Sequence, residues 1–347
     1  MGIEKISVDA FVAHAKVYPV IDVRSEAEFG HAHIPGAWNL PLFNNEERKI
    51  VGTIYKQRSR EEAIKKGLEF FGPKMKEMVD FVEEGLHKTN PSNKTLLVHC
   101  WRGGMRSAGV AWLLDLYGFK IYTLVGGYKA YRNWVLQILA EKPALKILGG
   151  YTGSGKTIVL DALKKKNERV IDLEGIAGHR GSAFGNIGLP KQPTQEMFEN
   201  KLAAELHSVI SSGELKPIWL EDESQRIGTV NIPQDFWLHM RKSDIQFLDI
   251  PFEKRLDYLV DTYGKLPMTE LKAATERIQK KLGGLETKNA IACLDENNIK
   301  GAFDILLKYY DKLYGKGLEK REDPKPLLKI YHSNLVDAEE NASCLIQ

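Results

Sequence analysis

The sequence predicts two successive α/β domains, each built on a parallel sheet, with a helical region at the C-terminal end. Three observations indicate this organisation. The chain has 347 residues, which favours more than one domain. Short apolar runs alternate with segments of helical periodicity, and this alternation starts again after Pro143. We therefore expect one domain over residues 1–142 and a second over residues 143–347.

The composition is that of an ordinary globular protein. Hydrophobic residues make up 43% of the chain, charged residues 27%, and the formal net charge is +3. This balance neither requires nor excludes a nucleic-acid partner. The three cysteines do not form a disulfide framework, and neither a leader-like segment nor a membrane-length apolar run occurs. We expect a cytoplasmic protein.

The first predicted domain alternates strands and helices. Apolar runs predict strands at residues 17–23, 95–100 and 121–125. Helical spacing predicts a helix from Arg106 to Tyr117, which Gly118 ends, and a closing helix within residues 128–143. Parallel strands joined by crossover helices are typical of this order.

The second predicted domain repeats the alternation. Strands are predicted at 145–148, 169–173, 217–222 and 245–250, with helices from Lys156 onward and around residues 198–210. From Pro267 to Tyr314 the periodicity is helical only. The sequence therefore predicts a helical cap at the end of this domain.

Residues 150–157, GYTGSGKT, match the phosphate-binding loop pattern and stand between a predicted strand and a predicted helix. Glycines in this loop let backbone N–H groups converge on phosphate oxygens. Lys156 is expected to reach the outer phosphate and Thr157 to hold Mg²⁺. The candidate phosphate-binding residues are Gly150, Gly153, Gly155, Lys156 and Thr157.

A carboxylate at the end of a neighbouring strand should complete a metal site with Thr157. The strand at 217–222 offers Glu221 and Asp222. Asp172 and Glu174 are the alternatives. We favour Asp222 together with Thr157 as the metal ligands.

Residues 172–188 contain five glycines and predict an ordered loop without regular structure. We expect this loop to lie over the carboxyl ends of the strands, where ligands of doubly wound sheets bind. Arg180 suits a phosphate group because its guanidinium can donate two parallel hydrogen bonds. The candidate residues of this loop are His179, Arg180, Gly181 and Ser182.

Residues 98–107, VHCWRGGMRS, place a cysteine between a predicted strand and a predicted helix. The sulfur of Cys100 should face the helix N-terminus, where the dipole and the free N–H groups favour a thiolate. Arg102 and Arg106 add positive charge. Such a loop predicts an anion cradle with a nucleophile at its base.

The spacing from Cys100 to Arg106 is that of the cysteine phosphatases, whose arginine clamps a phosphoryl group. Many small sulfurtransferases of the rhodanese family have a loop one residue shorter. Residues 21–41 nevertheless resemble the rhodanese hallmark, with Asp22 and Arg24 as supporting residues. The first domain thus resembles a rhodanese whose loop is sized for a phosphate-like anion.

The two loops on one chain resemble one family, the bacterial tRNA 2-selenouridine synthases. Seven collinear motifs carry the resemblance, which covers nearly the whole chain except the helical C-terminal region: DVRS, GHAHIPGAWNLP, NNEERKIVGTIYKQ, HCWRGGMRS, GGYTGSGKT, DLEGIAGHRGSAFG and EDES. The resemblance implies a rhodanese-like parallel-sheet domain followed by a P-loop NTPase-like doubly wound domain with a helical C-terminal region.

The resemblance also implies an activity. Members of the family replace the sulfur of wobble 2-thiouridine in tRNA with selenium, through an S-geranylated thiouridine made from geranyl diphosphate, with selenophosphate as the selenium donor. By this likeness Cys100 becomes selenylated while Arg102 and Arg106 hold the phosphate left behind. Lys156, Thr157 and Arg180 would hold the diphosphate of geranyl diphosphate. Alternatively, the P-loop would bind a nucleotide as a regulator.

Substrates and partners follow from the same likeness. Selenophosphate and geranyl diphosphate are expected as substrates, with no tightly bound cofactor, and a Mg²⁺ requirement is left open. The implied partners are tRNA and an enzyme that supplies selenophosphate, without a membrane.

Two other functions stay open from the residues alone. One is a rhodanese-like cysteine phosphatase fused to a kinase-like P-loop module, which would release phosphate from an aryl phosphate when Cys100 is present. The other is a nucleotide-switched binding module, for which Cys100→Ala would leave function intact.

Overall fold

A computed structural model describes residues 2–321 and 327–346. Its contacts divide the chain into two compact units, Met1–Ile138 and Leu139–Gln347. The first unit alternates strands with helices. Its elements are β1 (Ile3–Ile6), α1 (Val8–Ala15), β2 (Val20–Asp22), α2 (Glu26–His31), β3 (Trp38–Asn39), α3 (Asn45–Gln57), α4 (Arg60–Thr89), β4 (Thr95–His99), α5 (Met105–Tyr117), β5 (Lys120–Leu124) and α6 (Gly127–Leu139).

The sheet of the first unit has the order β1-β5-β4-β2-β3, and its neighbouring strands are parallel. β4 therefore lies in the middle of the sheet, and Cys100 directly follows its carboxyl end. The predicted parallel α/β fold is confirmed. The edge strand β1 and the long helix α4 were not anticipated from the sequence.

Helices α4 and α5 cover the sheet of the first unit with apolar side chains. Val82 of α4 and Val110 and Leu114 of α5 are fully buried together with Leu96 and Val98 of β4. The predicted stop of α5 is present, because Gly118 adopts a left-handed φ of +116°. None of the helices formed by the described residues is both long enough and apolar enough to cross a membrane.

The second unit repeats the alternation and adds helices. Its elements are β6 (Leu145–Gly149), α7 (Lys156–Lys165), α8 (Leu173–Ala177), α9 (Gln195–Ile210), β7 (Ile218–Glu221), β8 (Arg226–Ile227), β9 (Val230–Asn231), α10 (Gln234–Lys242), β10 (Asp244–Asp249), α11 (Phe252–Tyr263), α12 (Met268–Arg277), α13 (Gln279–Leu282), α14 (Gly284–Asp295), α15 (Ile299–Glu319), β11 (Leu328–His332) and α16 (Ala338–Ile346).

The main sheet of the second unit has the order β11-β10-β6-β7 and is parallel throughout. β6 lies between β10 and β7. The loop after β6 and the acidic residues at the end of β7 therefore meet at neighbouring carboxyl ends of the sheet. This edge is where doubly wound folds bind ligands.

Three details of the second unit differ from the prediction. Residues 169–173 form no full strand, and Val170 makes only a single bridge to Trp219. Residues 172–188 are not wholly irregular, because the Asp172 side chain accepts a hydrogen bond from the Gly175 N–H and caps the short helix α8. The chain does not end in helices alone, since β11 joins the sheet beside β10.

Candidate active sites

Cys100 lies at the base of a loop that leads from β4 into α5. Its side chain is buried, with 3% of the residue exposed. The Gly104 N–H donates to its Sγ at 3.3 Å, and the Ser107 hydroxyl lies 3.3 Å from the same atom. The local sequence explains this geometry, because glycines without side chains let the loop turn its N–H groups inward.

The surroundings of Cys100 favour its thiolate. Burial alone raises the pKa of the thiol, but hydrogen bonds from the Ser107 side chain and from the backbone of Ser107, Arg102 and Gly104 outweigh it. The net effect is a pKa below the ordinary value of a cysteine. A lowered pKa increases the fraction of the sulfur present as thiolate, which is its nucleophilic form.

Ser107→Ala should move the thiolate of Cys100 to higher pH. In wild type, alkylation of Cys100 by iodoacetamide should reach its half-maximal rate below the pH at which a free cysteine does, because the pKa is lowered. Removing the hydroxyl should raise that midpoint by about one pH unit, as expected for one hydrogen bond of about 1.4 kcal/mol. Mass spectrometry of the Cys100 peptide measures the alkylation rate at each pH, and the exposed Cys344 in the same sample is the internal reference. An unchanged midpoint in Ser107→Ala would contradict the assigned role of the hydroxyl.

The two arginines of the loop have different surroundings. Arg106 donates to Glu28 Oε2 at 2.8 Å and is partly buried. Arg48 donates to the same oxygen at 3.0 Å, so Glu28 joins two guanidinium groups. Arg102 is exposed. The predicted arginines therefore flank the cysteine loop, with Arg106 held by a carboxylate that an incoming anion would have to replace.

Asp22 and Arg24 form a buried ion pair beneath this site. Arg24 Nη2 lies 2.6 Å from Asp22 Oδ2, and both side chains are at most 1% exposed. The Arg24 guanidinium also donates to the Ala32 carbonyl and lies over the Tyr128 ring at 3.8 Å. His99, fully buried, stands 3.6 Å from the Asp22 carboxylate, and burial lowers its pKa against the attraction of that charge. The pair thus lies at the carboxyl end of β2, next to His99 at the carboxyl end of β4.

Sequence reasoning missed the segment that supports the cysteine loop from β5. Tyr128 N–H donates to the Cys100 carbonyl at 2.8 Å. Gly103 and Gly127 approach each other with φ of +65° and +60°, and a Cβ at Gly127 would lie 2.4 Å from Cys100 O and from Gly103 N. The GG pair at 126–127 was the only sequence signal for this contact.

The phosphate-binding loop connects β6 to α7 as predicted. Gly150, Gly153 and Gly155 all have positive φ, which an L-residue avoids. Lys156 Nζ donates to the Gly150 carbonyl at 2.9 Å, so its ammonium lies across the loop. Thr157 Oγ1 donates to Glu174 Oε2 at 3.2 Å. The predicted phosphate ligands are therefore held together at the start of α7.

Two residues that carried no sequence signal hold this loop in place. Arg255, 4% exposed on α11, donates to the Thr152 carbonyl at 3.0 Å and forms a two-point pair with Asp311. The Tyr314 hydroxyl accepts a hydrogen bond from the Gly150 N–H at 3.2 Å. Both contacts join the loop to the C-terminal helices, since Arg255 belongs to α11 and Asp311 and Tyr314 belong to α15. These helices therefore support the phosphate-binding loop.

The carboxylate of Asp222, which we expected to hold a metal ion with Thr157, is engaged elsewhere. It pairs with Arg321 Nη2 at 2.5 Å and accepts a hydrogen bond from the Tyr314 hydroxyl at 2.7 Å. Both Asp222 and Arg321 are nearly buried. A carboxylate satisfied by a guanidinium in this way is a poor ligand for a cation.

Three glutamates lie beside the phosphate-binding loop. Glu174 of α8, Glu221 at the end of β7 and Glu223 each place a carboxylate oxygen within 4.8 Å of the others. Burial and the charges of its neighbours raise the pKa of Glu223 to about 8. The pKa of Glu221 is also raised well above its usual value, first by burial and then by Glu174 and Glu223.

The loop after α8 closes over this cluster. Gly181 has φ of +66°, and a Cβ there would lie 2.6 Å from Glu174 Oε1, so only glycine allows this approach. Ser182 Oγ accepts a hydrogen bond from Phe184 N–H. His179 is buried, and its Nδ1 has no hydrogen-bond partner among the described residues. Arg180 is exposed at the rim.

A cavity of about 800 Å³ opens beside these residues. The polar residues of its lining include Lys156, Thr157, Glu174 and Arg180. The apolar residues of its lining include Leu259, Phe303, Leu306, Leu307 and Leu313. The lining therefore suits a ligand that carries both a phosphate and a hydrocarbon chain.

Comparisons with known proteins find one family model for each part of the chain. The family model of the tRNA 2-selenouridine synthase AAA domain matches residues 143–330, and that of the rhodanese-like domain matches residues 7–133. A tRNA 2-selenouridine synthase from Bdellovibrio bacteriovorus is 36% identical over 87% of this chain and 89% of its own length. Proteins of the same name from Sulfurovum sp. and Hydrogenovibrio crunogenus are each 35% identical, over 87% and 88% of this chain and 89% and 91% of their own lengths. The chain belongs to the tRNA 2-selenouridine synthase family.

Proposed function

We propose that this protein converts wobble 2-thiouridine of tRNA to 2-selenouridine in two steps, geranylation of the sulfur and its replacement by selenium. Membership of the family supports the overall reaction. The observation on which the proposal mainly depends is the Cys100 sulfur, which faces the Gly104 N–H and the Ser107 hydroxyl in a loop flanked by two arginines. That arrangement suits a nucleophilic sulfur that reacts with an anionic, phosphorylated selenium donor.

The first step is assigned to the P-loop cavity. The thiocarbonyl sulfur attacks the first carbon of geranyl diphosphate, the carbon–oxygen bond breaks, and diphosphate leaves with the electron pair. Lys156, Thr157 and Arg180 would offset the charge of the leaving group. The apolar lining residues, among them Leu259 and Phe303, favour geranyl diphosphate over a nucleotide as the ligand, because a geranyl chain needs a hydrocarbon surface.

The second step is assigned to the rhodanese-like domain. A selenylated Cys100 would need a two-electron oxidant, because the selenium of selenophosphate is already at the selenide level. In the balanced step the Cys100 thiolate attacks phosphorus, the selenium–phosphorus bond breaks, and selenide leaves with the electron pair and attacks C2 of the geranylated base. Arg102, Arg106 and the loop N–H groups hold the phosphoryl group, which water then releases from Cys100 as phosphate. The geranylated sulfur then leaves as a thiol, which is a better leaving group than sulfide. Asp22 and Arg24 position the loop without touching the reacting atoms. The tRNA and an enzyme that supplies selenophosphate are the proposed partners.

The test is to incubate the purified full chain with thiouridine-containing tRNA, geranyl diphosphate and selenophosphate, and to weigh the digested nucleosides. Cys100→Ala should stop at the geranylated nucleoside, with selenation slower by about 1000-fold or more, because the nucleophile is lost. Lys156→Ala should slow geranylation about 100- to 1000-fold, as expected when a group that stabilises leaving-group charge is removed.

Matched controls separate these results from general damage. Cys344→Ala and Lys164→Ala change exposed residues of the same types and should leave both products unchanged. Equal products from Cys100→Ala, Lys156→Ala and wild type would overturn both assignments. Cys100-dependent release of phosphate from an aryl phosphate, without selenated product, would support the phosphatase alternative instead.

A further inference from the structure

The three glutamates beside the phosphate-binding loop form a compact negative cluster. Glu221 is the last residue of β7, and Glu223 follows two residues later. Glu174 belongs to α8, and its carboxylate lies next to those of the other two glutamates. One carboxylate oxygen from each lies within 4.8 Å of the others. Carboxylate oxygens at such spacing are the ligands that Mg²⁺ and Mn²⁺ use in proteins.

The unpartnered carboxylate of Glu221 is a second observation that points to a ligand. Glu221 is 1% exposed, and neither of its carboxylate oxygens has a hydrogen-bond partner among the described residues. Burying a carboxylate without a partner costs several kcal/mol. Native proteins rarely leave such a group unsatisfied unless an ion or a ligand completes its surroundings.

The nearby positive charge is too small to balance the cluster. Lys156 acts on all three carboxyl groups, but its ammonium donates to the Gly150 carbonyl. Arg321 is committed to Asp222. Metal binding requires the carboxyl groups to be ionised, and three carboxylates against one ammonium then leave two negative charges, which one divalent cation would balance.

We propose that Glu174, Glu221 and Glu223 bind one divalent cation of the Mg²⁺ or Mn²⁺ type. The Thr157 hydroxyl, 3.2 Å from Glu174 Oε2, lies at the edge of this site. Gly181 permits the loop to pass directly over the cluster, because a Cβ there would contact both Glu174 and Glu223 at less than 3 Å. Asp222 is not a ligand in this assignment.

The site gives the cavity a second positive group next to Lys156. A cation held by the glutamates would face the diphosphate end of the ligand and would add to the charge that Lys156 and Arg180 supply. This consequence rests on the proposed function. The cation site itself does not, and it is therefore tested without tRNA, geranyl diphosphate or selenophosphate.

The experiment is a Mn²⁺ titration of the full chain, followed by electron paramagnetic resonance of the free ion. Wild type should bind one Mn²⁺, and Glu221→Gln should bind it at least about 100-fold more weakly, since an inner ligand with its charge is lost. Glu205→Gln makes the same chemical change on an exposed residue of α9 and should bind like wild type. In a thermal scan, Mg²⁺ should raise the unfolding midpoint of wild type but not that of Glu221→Gln.

A further variant keeps the test decisive. If Glu221→Gln fails to fold, Glu174→Gln takes its place, and weak binding there supports the site equally. Wild-type affinity in both glutamine variants would overturn the proposal, and so would an absence of Mn²⁺ binding in wild type. Loss of binding in Asp222→Asn with retention in Glu221→Gln would overturn it in favour of Asp222. A failure of geranylation with intact Mn²⁺ binding would count against the proposed function only.

Discussion

Gly127→Ala is expected to slow selenium transfer about 100-fold while leaving geranylation at its wild-type rate. A Cβ at residue 127 would lie 2.4 Å from Cys100 O and from Gly103 N, and both are backbone atoms that cannot rotate away. The φ of +60° at this residue adds to the strain, because L-residues avoid that region. The cysteine loop must therefore shift, and a displacement of about 1 Å at a reacting group costs roughly 100-fold in rate.

The measurement is the yield of geranylated and selenated nucleosides with time, together with alkylation of Cys100. Gly52→Ala is the matched control, since a Cβ at this position in α3 would meet nothing within 4 Å. It should leave selenium transfer unchanged. If Gly127→Ala also transferred selenium normally, the contact between the segment after β5 and the cysteine loop would not be what positions Cys100.

The local parts of both sites could be predicted because their residues are neighbours in sequence. In the cysteine loop, the donors that surround Sγ come from residues 102–107, so one short motif fixes the surroundings of the sulfur. The glycines at 150, 153 and 155 likewise set the backbone of the phosphate loop. A strand before and a helix after each motif place it at the carboxyl edge of a parallel sheet. Spacing alone therefore predicted the architecture.

The parts of the site that the sequence did not reveal depend on contacts between distant residues. Asp222 was expected to bind a metal ion, but its partner Arg321 lies 99 residues later in the chain. Arg255 meets Thr152 across 103 residues, and no motif marks it. Which of several adjacent carboxylates stays free is decided by such partners. A sequence pattern gives the candidates, and only packing selects among them.

The end of the chain shows the same limit for secondary structure. The helical periodicity up to Tyr314 is real, but β11 that follows is short and largely exposed, with little alternation between polar and apolar residues. Its pairing with β10 completes the sheet on one edge. Edge strands bury few side chains, so their sequences carry a weak signal. β1, at the edge of the other sheet, was missed for the same reason.

Arg24→Met is expected to destabilise the first unit by about 3–5 kcal/mol, the cost of leaving a buried charge without its partner. The Asp22 carboxylate is fully buried and takes three hydrogen bonds from the Arg24 guanidinium, at 2.6 and 3.0 Å. Methionine keeps an unbranched apolar stem but removes every donor. The carboxylate would then keep the ring of His99, 3.6 Å away, as its neighbour in the pocket.

Hydrogen exchange read by mass spectrometry measures this loss locally, at the amides of β2 and β4. Lys76→Met breaks the exposed pair with Asp80 on α4 and should leave exchange in these strands unchanged. The double variant Asp22→Leu/Arg24→Met should regain most of the lost stability, because it removes both charges. Exchange in Arg24→Met equal to wild type would show that the buried pair does not hold the two strand ends.

The pH dependence of the same exchange has a definite sign. Burial raises the pKa of Asp22, but the charges of His99 and Arg24 and the hydrogen bonds of Arg24 lower it further, so the net pKa lies below the usual value. A lowered carboxyl pKa stabilises the folded state above the unfolded pKa of about 4, and that contribution is lost as the pH falls through the folded pKa. In wild type, the protection of the β2 and β4 amides against hydrogen exchange should therefore decrease when the pH drops below about 4. Arg24→Met should show a weaker acid sensitivity, since without the guanidinium only part of the effect that lowers the pKa of Asp22 remains, and protonation relieves the buried charge. An identical pH profile in both proteins would mean that Arg24 is not the group that keeps Asp22 ionised.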